Sequence, residues 1–67
     1  MKINITTEYI KLDQLLKFAG IAGSGAEAKY YITEGMIRLN GITELQRGRK
    51  IRKGDVVTFG EQEIYVC

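Results

Sequence analysis

Arg47, Arg49, Lys50, Arg52 and Lys53 place five cations within seven consecutive positions, with no acidic residue among them. Side chains of one sign set so close repel one another, and their summed field attracts a polyanion. The run holds half of the chain's ten basic residues. Phosphate is the chemistry it suits best: arginine offers a planar fork to two oxygens, lysine a compact point charge. Nucleic acid is therefore the first partner the charge pattern suggests. The competing explanation is a solvated, solubilising loop, which is what most charge runs are.

Other chemistry is poorly supplied. The chain has no histidine, which removes the commonest general base and the commonest metal ligand. Its one cysteine, Cys67, can build neither an internal disulfide nor a zinc site. The glycines of Ala19-Gly20-Ile21-Ala22-Gly23-Ser24-Gly25 precede a helix but lack the Gly-Lys-Ser/Thr ending of a phosphate loop. No catalytic site, metal or cofactor is expected.

Sixty-seven residues point to a single domain over 1–67, and 45% hydrophobic with 27% charged residues is an ordinary globular composition. Chains of this size bury only about 60% of their unfolded surface, so the core must be small. The net charge of +2 is slight, but its distribution is not. Acids and bases cancel up to residue 46, and the excess lies in 47–67, where the five cations face Asp55, Glu61 and Glu63. No apolar run approaches the roughly 20 residues needed to span a bilayer. The opening MKINITTEY lacks the apolar core of a signal peptide, so a cytoplasmic protein is expected.

The elements that must carry these residues are legible in outline. Lys2-Ile3-Asn4-Ile5-Thr6 alternates as a half-buried strand does. Tyr9 to Ala19 sets Leu12, Leu15, Leu16 and Ala19 at helical spacing, and Gly20 follows as a stop. Ser24-Gly25-Ala26-Glu27 is a capping box, with the serine oxygen facing the Glu27 N–H and Glu27 reaching back to the Ser24 N–H. Ala28, Tyr31 and Ile32 make that second helix apolar on one side, and Gly35 ends it. Met36 to Leu39 reads as a strand, Asn40-Gly41 as a tight hairpin turn, and Ile42 to Leu45 as a short return. An extended piece around Ile51, the strand Val56-Val57-Thr58-Phe59 and the closing Ile64-Tyr65-Val66 complete the order. The expected fold is α+β: two helices packed against a small, mostly antiparallel sheet.

Four pieces in order resemble a known family. They are Lys11-Leu12-Asp13-x-x-Leu16, Ser24-x-x-Glu27-Ala28-Lys29, Gly35-x-Ile37-x-Leu39-Asn40-Gly41 and Lys53-Gly54-Asp55-Val56-Val57. Together they resemble the S-four RNA-binding domain, or alpha-L motif, over about residues 10–59, and the chain as a whole is similar to its stand-alone bacterial YaaA-like type. The resemblance implies contact with folded RNA from the first helix, the start of the second and the following turn. It points to Lys11, Ser24, Lys29, Arg38 and Asn40, with Asp13 orienting a cation or taking an N–H. It also implies ribosomal RNA or a ribosomal subunit as partner, in ribosome assembly or maturation, and no DNA or membrane.

Two positions depart from the family pattern. Lys11 and Gly25 stand where arginine is more usual, and lysine does not supply arginine's bidentate fork. The cluster Arg47, Arg49, Lys50, Arg52 and Lys53 is expected to make up for them. Tyr30 points to a different side of the helix from Tyr31; packing is its first expected use, and stacking on a splayed base is the alternative if it is exposed. A β-grasp-like protein-interaction or sulfur-carrier module is the alternative; such carriers resemble one another in a Gly-Gly ending, against Tyr65-Val66-Cys67 here.

Overall fold

Leu12, Leu15 and Leu16 fall on one side of a 3.6-residue helix, and all three are completely buried in the computed structural model, which describes residues 1–67. Their helix, α1, runs Leu12–Phe18. It is shorter than the expected Tyr9–Ala19, because Ile10 and Lys11 are extended and form a two-residue strand. The reason lies in what the helix start needs. The first N–H groups of a helix have no partner within it. Here the Leu12 and Asp13 N–H groups donate to the Arg49 and Arg47 carbonyls at 2.9 and 3.0 Å. A helix begun at Tyr9 would forfeit both bonds.

Helix α2, Gly25–Thr33, is capped as expected: the Glu27 N–H donates to Ser24 Oγ at 3.1 Å. The return bond differs. Glu27 Oε1 accepts from the Gly23 N–H at 3.1 Å, one residue before the one expected. It also accepts the Tyr31 hydroxyl one turn on, so one carboxylate ties the entry loop to the helix body. Gly35 ends the helix at φ +75°; its N–H donates to Ile32 O and the Met36 N–H to Tyr31 O, the paired bonds of a Schellman stop. Helix α1 ends the same way at Gly20.

In chain order the strands are β1 (Lys2–Ile3), β2 (Ile10–Lys11), β3 (Ile37–Leu39), β4 (Ile42–Thr43), β5 (Lys50–Ile51), β6 (Val56–Phe59) and β7 (Gln62–Val66). Five of them form one sheet in the order β1-β7-β6-β3-β4, antiparallel except where β1 runs parallel to β7. Asn40 and Gly41, at φ 51° and 85°, make the two-residue turn between β3 and β4. Period-two alternation sends Ile37, Leu39, Val57, Ile64 and Val66 to the helix side, where they are buried with the leucines of α1 and with Ala28 and Ile32 of α2. Tyr31 closes the seam against Phe59, ring centroids 4.7 Å apart. The opposite face carries Arg38, Thr43, Thr58, Glu63 and Tyr65 in register.

The architecture is therefore the expected two helices on a mostly antiparallel sheet, with one addition. Strands β2 and β5 form a separate two-stranded ladder, Ile10 opposite Ile51 and Lys11 opposite Lys50. No helix is long and apolar enough to cross a membrane.

Candidate nucleic-acid interface

The β2–β5 ladder organises the charge. Ile51 is fully buried and Ile10 half-buried, which pins the ladder to the core and turns Lys11 and Lys50 outward side by side. Like charges directly opposite are destabilising, so this pairing costs the isolated protein something and favours an anion laid across it. The two backbone bonds from Leu12 and Asp13 hold the Arg47–Arg49 segment against the start of α1. Lys11 and the cluster thus become one patch, although they lie far apart in sequence.

Tyr9 anchors part of that patch. Lys50 Nζ lies 4.9 Å from its ring centroid and Arg52 Cζ 5.8 Å, both within the range of cation–π attraction. Arg52 and Lys53 line an open depression with Thr6, Thr7 and Glu8. The protein's only ion pair joins Arg49 to Glu44 at 3.4 Å. With Arg49 half exposed, such a pair is worth little. Asp55 is occupied elsewhere: its carboxylate accepts the Arg52 backbone N–H at 2.8 Å and the Asn40 amide at 3.1 Å. Lys11, Arg47, Lys50, Arg52 and Lys53 are left without a carboxylate partner.

The other site residues of the sequence reading stand on other elements or have structural duties. Asn40 Oδ1 accepts the Val56 N–H at 2.9 Å, so both ends of its amide brace the hairpin against β6. Ser24 Oγ is engaged as the α2 cap. Lys29 is exposed on α2, with no ion pair or side-chain hydrogen bond. Arg38 projects from β3 between Thr43 and Thr58 on the sheet face away from the helices, lining a shallow depression with Gly35, Met36 and Gly60. Asp13 Oδ1 accepts the Gln14 N–H at 2.8 Å. Tyr30 is 58% exposed.

Sequence reasoning missed Tyr9, reading it into the first helix. Its hint was the pair Tyr9-Ile10 after Thr6-Thr7, a β-prone stretch where a helix start was drawn.

Two tyrosines have hydroxyls perturbed by carboxylates. Tyr31 is held above the usual phenol range, chiefly by its hydrogen bond to Glu27, then by partial burial and the carboxylate's charge. Tyr65 is raised chiefly by its hydrogen bond to Glu63.

Two helices packed on a mostly antiparallel sheet give the fold of the alpha-L motif. The chain belongs to the S4 domain family, whose model matches residues 3–67. It is 44% identical over 55 residues to the "Probable ribosome maturation protein RlbA" of Bacillus subtilis, covering 82% of this chain and 78% of that one. It is 36% identical over 58 residues to the "Putative RNA-binding protein YbcJ" of Escherichia coli, covering 87% and 83%. The solution structure of YbcJ, described as revealing an alfaL motif involved in RNA binding, superposes with a TM-score of 0.74 at 32% identity over 97% of this chain and 84% of that one.

Proposed function

We propose that this protein is a non-catalytic RNA-binding module of one domain, gripping the phosphates of a folded RNA with the patch around Lys11, Arg47, Arg49, Lys50, Arg52 and Lys53. The observation that carries this reading is the β2–β5 ladder, which sets Lys11 against Lys50 in a patch of six cations where only Arg49 has a carboxylate partner. Cations on a rigid scaffold position a phosphate backbone and carry little base information, so recognition is by shape more than by sequence. Lys29 extends the contact along α2, with Ser24 acting through its cap. Asn40 acts indirectly, by holding the turn.

The names of the relatives agree with this reading: YbcJ is called an RNA-binding protein and RlbA a ribosome maturation protein. The target we infer is accordingly ribosomal RNA in the cytoplasm, during assembly or maturation of a ribosomal subunit. The β-grasp carrier alternative finds no support from a family model that spans residues 3–67.

Crosslinking of RNA in cells, followed by sequencing of the bound fragments, tests the proposal with the Arg49→Ala/Lys50→Ala variant as control. Discrete ribosomal RNA sites that disappear in the variant are expected. No enrichment over the variant would end the RNA reading and turn attention to an acidic protein partner.

A further inference from the structure

Phe18 is the last residue of α1 and is 67% exposed. A single exposed apolar side chain is ordinary and needs no explanation by itself. What surrounds this one is less ordinary. Phe18, Ile5 and Ile10 form the apolar lining of an open depression of about 280 Å³, whose remaining lining is Asn4, Thr6 and Thr7. Thr6 and Thr7 also line the neighbouring depression that holds Arg52 and Lys53, together with Glu8. An aromatic cup and a basic cup therefore share a wall. The polar groups of the aromatic cup are largely free. Neither the Asn4 amide nor the Thr6 hydroxyl hydrogen-bonds within the protein, while Thr7 Oγ1 donates to Tyr9 O at 2.8 Å.

We propose that the Phe18 depression is a subsite for one unstacked nucleobase of the bound RNA, which lies with its phosphate toward Arg52 and Lys53. This rests on the RNA-binding reading above and adds a contact that the phosphate patch does not contain. Three features select a base over an apolar peptide side chain. The ring of Phe18 is available for stacking, as aromatic platforms beside cationic grooves are in proteins that hold unpaired nucleotides. Asn4 and Thr6 offer free donors and acceptors to a base edge, which an aliphatic side chain would leave unsatisfied. Arg52 and Lys53 line the adjoining depression, with Glu8, across the shared Thr6-Thr7 wall, close enough to receive the phosphate of a nucleotide whose base lies on Phe18.

Phe18→Trp provides a reporter, because the chain has no tryptophan of its own. The probes are an RNA hairpin with a long unpaired loop and inorganic polyphosphate of equal charge. The hairpin is expected to quench the introduced indole, and polyphosphate to bind without doing so. Phe18→Ala should weaken hairpin binding by roughly 5- to 150-fold, the usual range for loss of one stacked base, and leave polyphosphate binding unchanged. Phe18→Leu keeps the apolar volume without the ring plane and should behave like Phe18→Ala.

Equal responses to both probes, or wild-type hairpin affinity in Phe18→Ala, would overturn the subsite and leave the depression as an apolar docking face for a protein. Hairpin binding that survives in that variant would leave the phosphate patch standing. Failure of the wild-type protein to bind either probe would instead remove the RNA reading itself, and the subsite with it.

Discussion

Tyr9 holds two of the patch's cations at its ring, and its effect on binding should come through them. An exposed cation–π contact is worth about 0.5–1 kcal/mol, and part of that serves to hold Lys50 and Arg52 in place before RNA arrives. Tyr9→Leu should therefore weaken binding of a structured RNA by about 2- to 5-fold, and Tyr9→Phe should restore it. A leucine variant that binds like the wild type would show that the ring is only packing. Tyr31 and Tyr65 both bring a pH dependence, and Tyr31 is the one tied to a helix cap. Its phenol is raised by Glu27, so the folded chain holds that proton more tightly than the unfolded one. The resulting stability is complete below the ordinary phenol range and is lost as pH rises through the higher folded value. Glu27→Ala should return the Tyr31 titration toward 10.0, followed by tyrosinate absorbance; an unmoved titration would mean that burial, not the carboxylate, sets the shift. Glu27 was legible in the sequence as a capping residue, since a cap is local chemistry over four positions. The Tyr9 contacts were not, because their partners are Lys50 of β5 and Arg52 just after it, which sequence spacing does not bring near.

The elements divide along the same line. Both helices, their glycine stops and the Asn40-Gly41 hairpin rest on bonds within a few residues, and each stands close to where the sequence puts it. Strands β2 and β5 have two residues each and exist only because Ile10 meets Ile51 across the fold. No periodicity can show in two residues, so the sequence pattern carries α1 back to Tyr9 and gives no sign that Lys11 pairs directly with Lys50. Gly35 tests the local class. A Cβ there would meet only Thr43 Cγ2, at an ordinary 3.8 Å, so Gly35→Ala isolates the backbone cost of positive φ. About 1–2 kcal/mol is expected, or some 4–16 °C in Tm for a domain of this size. An unchanged Tm would refute Gly35 as the conformational stop. Asn40→Gly keeps the positive φ but removes the bonds to Val56 and Asp55. It should cost about 0.5–1.5 kcal/mol in thermal unfolding, the net worth of a hydrogen bond whose donor water can reach once the acceptor is gone. A neutral Asn40→Gly would mean that the turn needs only the dihedral angle.

On the scale of the whole molecule, a net charge of +2 would suggest weak, nearly salt-independent attraction to RNA. The charge arrangement argues the reverse. Six cations converge around the start of α1, and only Arg49 among them has an acidic partner, whereas Arg38 stands on the sheet face turned away from the helices. Counterion release depends on the cations that meet phosphate and not on the sum over the chain, each contributing roughly 0.7–0.9 to the slope of log K against log salt. Lys50→Ala with Arg52→Ala should accordingly flatten that slope by about 1.4–1.8, while Arg38→Ala leaves it unchanged if one face alone meets the RNA. The contrast matters more than either value, because all the variants lower net charge while only one set removes it from the patch. Equal flattening per charge in both would mean that the RNA responds to total charge, and the ladder joining Lys11 to the loop would then be architecture without a part in recognition. A slope lost only with Lys50 and Arg52 would locate binding at the patch. The short ladder hidden from sequence periodicity would then be the element that turns scattered cations into an RNA-binding surface.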